Sequence, residues 1–168
     1  MIVVTGGCGF IGSRILESIF KKGYNEKVIV VDNLDDRNIK KISKFPIYDF
    51  ISPIEFLRRS STLVKDSDCI FHQGAITDTT HPDSKKVMNM NHGYTKTLIS
   101  NCIINKTRII YASSAAVYGT GENGFKESYK CEAPLNIYGF SKVLVDNWAR
   151  QSEFFSSYNI IGLRYFNV

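Results

Sequence analysis

The sequence is poor in several features that would have declared its class at once. It has no apolar run approaching the ~20 residues of a membrane-spanning helix, so no membrane association is expected. Its four cysteines, Cys8, Cys69, Cys102 and Cys131, form no C-x-x-C spacing. That argues against zinc and dithiol chemistry and for buried free thiols. His72, His81 and His92 share no metal-ligand spacing, so no metal is expected. The net charge is +5, yet the basic residues are scattered and the dense runs are pairs such as Lys40-Lys41 and Lys85-Lys86. No nucleic-acid partner is expected from that pattern. The opening Met1-Ile2-Val3-Val4-Thr5-Gly6 has neither a basic leader region nor a cleavage site. A secretory signal is therefore not expected, and the cytoplasm is the expected compartment. There is no internal repeat and no low-complexity segment.

What is present is a chain of 168 residues, 43% hydrophobic and 22% charged. That length suits one domain with a core large enough to need no covalent staple. Strand-like and helix-like periodicities alternate along it. Ile2 to Thr5 is a short β-branched run ending in glycines. Phe10 to Lys22 carries Ile11, Ile15, Leu16, Ile19 and Phe20 at helical spacing, and Gly23 is placed to stop that helix. Lys27 to Val31 is a second strand. Ser52-Pro53-Ile54-Glu55 reads as a capping box opening a short helix. Strands are expected at Asp68 to His72, Arg108 to Ala112 and Asn159 to Arg164, and helices over Asp83 to Asn105 and Asn136 to Phe155. The alternation predicts an α/β fold, a doubly wound, Rossmann-like parallel sheet with helices on both faces. Gly119 to Pro134 is a polar loop, the segment expected to be most mobile.

Two motifs carry chemistry. Gly6-Gly7-Cys8-Gly9-Phe10-Ile11-Gly12 holds both G-x-x-G-x-x-G and G-x-G-x-x-G, between a β-branched strand and an amphipathic helix. Such glycines let backbone amides approach a diphosphate, and the helix N-terminus favours negative charge. Twenty residues past Gly12, Asp32 closes the second strand, where a carboxylate can accept ribose hydroxyls. The bland alternative is a glycine turn used only for close packing. Asp32 favours NAD over NADP. Arg37, Lys40 and Lys41 follow closely and can serve a 2′-phosphate or form a solvated face, so the cofactor stays open between the two.

The second motif is Tyr138-Gly139-Phe140-Ser141-Lys142. Positions i and i+4 share a helix face, so an ammonium there favours the phenolate and yields a general base. Ser113 and Ser114 follow the strand ending at Ala112, at the edge where open α/β sheets bind ligands. Ser114 is placed to hydrogen-bond the substrate oxygen that Tyr138 deprotonates, whereas Ser113 and Ser141 read as structural. His72 reads as a strand-end residue near the cofactor, and Phe154-Phe155 as core.

Thr5 to Ser13, Tyr111 to Gly119, Tyr138 to Lys142 and Arg164-Tyr165-Phe166-Asn167-Val168 resemble the extended short-chain dehydrogenase/reductases, the nucleotide-sugar epimerases and dehydratases. Dehydratases of that family place an Asp-Glu pair beside the catalytic hydroxyl. Ala115 and Ala116 stand there instead, which disfavours dehydration. Finer likeness lies in Val31-Asp32-Asn33-Leu34, Ile70 to Ala75, Thr79-Thr80, Ile110 to Ala116 and Pro134-Leu135-Asn136. It implies inversion at C6 of an ADP-heptose, or of a related nucleotide sugar, within lipopolysaccharide core synthesis. The implied route passes through a 6-keto intermediate, with tightly bound NADP taking and returning a hydride.

The resemblance implies catalytic roles for Tyr138, Lys142 and Ser114. It implies cofactor contacts at Gly6, Gly9, Phe10, Ile11, Gly12, Asp32, Asn33, Gln73, Gly74, Ala75, Ile76, Thr77, Asn91, Lys142 and Val168. Ser114 and Asn167 are implied substrate contacts. Pro53 stands where NADP-using members carry a lysine, with Arg37 or Lys40 as replacements. The family assembles as homo-oligomers, pentamers included, and continues past the equivalent of Val168 into a substrate domain. Residues 1–168 are therefore expected to be the dinucleotide-binding domain alone. The alternatives are a 4-epimerase acting on a UDP-hexose and a dinucleotide-binding fragment without turnover.

Overall fold

The computed structural model describes residues 1–151 and 159–167. Six parallel strands form one sheet: β1 (Ile2–Thr5), β2 (Val28–Val31), β3 (Asp49–Ile51), β4 (Cys69–His72), β5 (Arg108–Ser114) and β6 (Ile160–Tyr165). Their spatial order is β3-β2-β1-β4-β5-β6, which reverses direction beside β1, between the glycine turn and β4. Ligands of open α/β sheets sit in the crevice at such a reversal.

The strands are β-branched because both faces are covered. Val3, Ile29, Val31, Ile70 and Ile109 point to one side. There they meet Phe56 of α3 (Pro53–Arg58), Leu63 and Val64 of α4 (Ser60–Lys65), Leu98, Ile99 and Cys102 of α6 (Tyr94–Asn105), and Val145 and Ala149 of α7 (Ile137–Gln151). Val4, Val28 and Val30 point to the other side, against Leu16 of α1 (Phe10–Lys21) and Ile42 of α2 (Asp36–Ile42). This is the side-chain alternation of a strand, with an apolar layer on each face. No helix among the described residues is long and apolar enough to cross a membrane.

Several elements depart from expectation. α2 and β3 were not foreseen. The basic stretch after Asp32 is helical because Asp35 caps it, accepting Asn38 N–H at 2.8 Å, and Lys40 and Lys41 then sit at the end where cations suit the helix dipole. The capping box at Ser52 forms by half. Ser52 Oγ accepts Glu55 N–H at 3.3 Å, but Glu55 turns to Arg59 at 3.1 Å. The expected helix from Asp83 is three pieces: α5 (Ser84–Val87), a π-helical turn (Met88–Gly93) and α6. β5 runs two residues further than expected, to Ser114. The Gly119 to Pro134 loop holds a short 3₁₀ turn at Tyr129–Cys131 and is fastened near its end: Ala133 N–H donates to Val117 O at 2.9 Å, and Glu132 pairs with Arg150 at 2.7 Å and with Arg164. Phe154-Phe155, the far end of the expected last helix, lies outside the described residues.

Candidate active site

The first glycine turn is built for close backbone approach. Gly6 has φ +67°, and a Cβ on it would stand 2.7 Å from Gly74 N. A Cβ at Gly12 would collide with the Gly6 carbonyl. α1 follows with Gly9 as an uncapped N-cap, and its first intrahelical donor is Ser13 N–H, to Gly9 O at 3.0 Å. The amides of Phe10, Ile11 and Gly12 are thus the free donors of a helix N-terminus. Asp32 stands behind the turn. Its two oxygens accept Cys8 N–H and Asn33 N–H, both at 2.8 Å, while Lys41 Nζ donates to Cys8 O at 3.0 Å. Burial, then the Asp32 carboxylate, pushes the Cys8 thiol up to about 12, which keeps it protonated near neutral pH.

The loop after β4 closes the other wall. Gly74 N–H donates to Thr5 Oγ1 at 3.1 Å. Asn91, fully buried on the π turn, accepts Ile76 N–H at 2.8 Å and donates to Ile76 O at 2.9 Å and Ser141 Oγ at 3.3 Å. Between the walls lies a cleft of about 490 Å³. Gly6, Gly9, Phe10, Ile11, Gly12, Asp32, Asn33, Gln73, Gly74, Ala75, Ile76 and Thr77 all line it. Asn91 and Lys142 do not: Asn91 holds the loop from behind, and Lys142 belongs to the neighbouring dyad. Val168 and the side chain of Arg37 lie outside the described residues. The sequence reading passed over Asn38, Met90 and Tyr94, which also line the cleft, and the register of α2 brings Lys41, but not Lys40, to it. The three-to-four residue helical step from the Asp35 cap was the signal that could have separated the two lysines.

The dyad stands at the carboxyl end of β5. Asn136 caps α7, accepting Gly139 N–H at 2.8 Å, so the helix opens one residue before Tyr138. Gly139 lets α7 press on the turn after β5, since a Cβ there would be 2.7 Å from Ala116 O. Lys142 Nζ lies 5.8 Å from the Tyr138 ring centroid and donates to Ala112 O at 2.7 Å. Burial brings its pKa down to about 8, with Asp146 opposing that shift. Ser114 Oγ accepts Ala116 N–H at 3.1 Å, which leaves its own hydrogen free to donate. Ser113 instead donates to Asp146 at 2.8 Å, and Ser141 to Tyr138 O at 2.6 Å, so each hydroxyl hydrogen is engaged within the protein. Asp146, one helical turn past Lys142, also accepts Tyr111 OH at 3.0 Å and pairs with Arg164 at 3.0 Å. Its spacing of four from Lys142 was the overlooked sign of it. Asn167 is exposed just beyond β6.

The cleft passes a test of fit for a dinucleotide. It offers unpaired helix-terminal amides for a diphosphate, carboxylate lone pairs at Asp32 for ribose hydroxyls, and a buried Gln73 Oε1 with no partner among the described residues. Comparison with known proteins agrees. A heptose epimerase of Brachyspira hyodysenteriae, ADP-L-glycero-D-manno-heptose-6-epimerase, is 42% identical over all of this chain and 54% of its own length. The crystal structure of the Helicobacter pylori ADP-L-glycero-D-manno-heptose-6-epimerase matches with TM-score 0.81 and 34% identity, over 99% of this chain and 55% of that one. A Bacillus cereus UDP-glucuronic acid 4-epimerase in complex with NAD matches with TM-score 0.81 and 26% identity, over 99% and 56%. The chain spans about half the length of the relatives it matches. Residues 2–168 match one family across the sheet, the cleft and the dyad alike, and the chain belongs to the NAD dependent epimerase/dehydratase family.

Proposed function

We propose that this chain is the dinucleotide-binding part of a nucleotide-sugar epimerase that inverts C6 of ADP-D-glycero-D-manno-heptose through a 6-keto sugar. The observation that carries the reading is the joining of two sites. Asn91 grips Ile76 of the cleft loop and, through Ser141, the Tyr138 carbonyl of the dyad helix. The 42% identity to a heptose epimerase directs the choice of sugar.

A bound nicotinamide supplies reversible hydride transfer. Tyr138 removes the proton of the substrate hydroxyl, and the Lys142 ammonium beside it favours the phenolate. Ser114 donates its free hydrogen to the same oxygen and steadies the charge that develops there. Lys142 spends one donor on Ala112 O and keeps the others for the site. Asn167 faces the sugar in this reading. Pro53 lines the cleft where a lysine would serve a 2′-phosphate, and Lys41, which donates to Cys8 O, supplies that charge in its place. NADP is therefore the proposed cofactor. Asp32 favours NAD as the second reading, because a 2′-phosphate would face its carboxylate.

The protein would act as a homo-oligomer in the cytoplasm. Calorimetric titration of NAD⁺ and NADP⁺ separates the cofactors. Lys41→Ala should weaken NADP⁺ about tenfold and leave NAD⁺ unchanged, since one charge-assisted contact is worth about 1.5–3 kcal/mol. Equal effects on both would sink the role of Lys41. In a chain extended to the length of its relatives, Tyr138→Phe should abolish turnover of the ADP-heptose while cofactor binding survives. Turnover of a UDP-hexose instead would favour a 4-epimerase, as the Bacillus cereus neighbour suggests.

A further inference from the structure

His72 ends β4 immediately before the Gln73 to Thr77 loop. The parallel register sets it beside Thr5, which ends β1 immediately before Gly6. Its ring is buried and uses both nitrogens: Nδ1 lies 2.6 Å from Thr5 Oγ1, and Nε2 lies 2.8 Å from Thr95 Oγ1 on α6. Tyr94 stacks on it with centroids 5.6 Å apart and planes at 16°. The same Thr5 oxygen accepts Gly74 N–H at 3.1 Å, so one hydroxyl couples the imidazole to the backbone of the second loop. The two loops meet without slack there, as the 2.7 Å approach at Gly6 shows.

We propose that His72 is a positioning residue which, through Thr5, fixes the spacing between the Gly6 to Gly9 turn and the Gln73 to Thr77 loop and so sets the affinity of the dinucleotide. This rests on the dinucleotide reading of the cleft.

Both contacts of the ring hold in either neutral tautomer. Burial, with the Lys142 ammonium adding to it, lowers the His72 pKa to about 3, so the ring is neutral, with one donor and one acceptor. With Nδ1 as acceptor, Thr5 O–H donates to it and Nε2–H donates to Thr95; with Nδ1 protonated, both directions reverse. In either case Thr5 keeps a lone pair for Gly74 N–H. The imidazole is thus a fixed strut between α6 and the turn that opens the cleft.

Three variants test this by titration with NADP⁺ and NAD⁺, with thermal melting as a check on folding. Thr5→Val removes the shared hydroxyl at constant shape. His72→Gln carries its amide where Nε2 was and loses the Thr5 bond. His72→Asn carries its amide where Nδ1 was and keeps it. Thr5→Val and His72→Gln should each weaken binding about tenfold, the equivalent of about 1.4 kcal/mol, and His72→Asn less than about threefold. A purely structural histidine would lower the melting temperature in both His72 variants and leave affinity alone. Wild-type affinity in Thr5→Val and His72→Gln would overturn the proposal. Absence of binding by the wild type would overturn the dinucleotide reading together with it.

Discussion

Asn91→Ala separates a residue that touches the cofactor from one that holds the wall the cofactor touches. The Asn91 amide is fully buried and spends its acceptor and both donors on Ile76 N–H, Ile76 O and Ser141 Oγ. Alanine leaves both backbone groups of Ile76 without a partner in a part-buried loop. Each orphaned group costs about 1–3 kcal/mol, and partial exposure puts these toward the lower end, so the sum is about 2–4 kcal/mol. For a chain of this size each kcal/mol moves the midpoint by about 2–4 °C, so thermal melting should fall by about 5–15 °C. Dinucleotide affinity should fall as well, because Ile76 and Thr77 line the cleft. Asn91→Asp adds a second arm. A carboxylate would face the Ile76 carbonyl, whereas the neutral acid can donate to it. Its folded pKa is therefore raised, and the deficit should be smaller at pH 5 than at pH 8. A change in melting temperature below about 2 °C, with affinity lost, would refute the reasoning and make Asn91 a direct contact.

Lys142 titrates near the working range. Its folded pKa of about 8 lies below its ordinary 10.5, so the unfolded chain binds the extra proton between those values. Stability from this group rises with pH across that window. The advantage of Lys142→Met over wild type in urea midpoint should be largest at pH 7 and shrink toward pH 10, and a constant difference would refute the shift. His72, at about 3 against an ordinary 6.5, makes stability fall as pH drops from 6.5 toward 3, and His72→Asn should flatten that acid limb in the same assay. Gly12→Ala reverses the usual gain of alanine in a helix. Its Cβ meets the Gly6 carbonyl, so a loss of about 1–3 kcal/mol and of dinucleotide binding is expected, read by urea unfolding and titration.

Much of the fold is legible because β-branched runs and glycine stops are local signals. Ile2 to Thr5, Val28 to Val31 and the helix from Phe10 needed no tertiary information. What escaped was set by tertiary context. β3 is three residues, Asp49–Ile51, too short for any period to show, and it exists because β2 offers it an edge. The π turn at Met88–Gly93 has the apolar spacing of an ordinary helix. Its extra residue per turn is imposed by Asn91 reaching Ile76 and Ser141, partners fifteen and fifty positions away. The site divides in the same way. The glycines, Asp32, Tyr138 and Lys142 sit in short motifs whose chemistry depends on spacing alone. The expectation of Asn91 as a contact came from resemblance, and only packing shows that its amide is spent on Ile76 and Ser141.

The segments that build the site follow the carboxyl ends of β1, β2, β4 and β5 or lie on the π turn and α7, and buried or half-buried polar side chains fasten them to one another. Asp32 holds Cys8, Thr5 holds Gly74, Asn91 holds Ile76, Lys142 holds Ala112 and Asp146 holds Ser113. An apolar core alone would let each loop move on its strand end, because burial is not directional. Hydrogen bonds are directional, and an unmade one is costly in a buried place, so each fastening allows one loop position. In the proposed epimerase that rigidity would matter: the Tyr138 phenol and a bound nicotinamide would have to address the same carbon twice while the sugar turned between them, so the polar fastenings would serve the proposed mechanism as well as the fold.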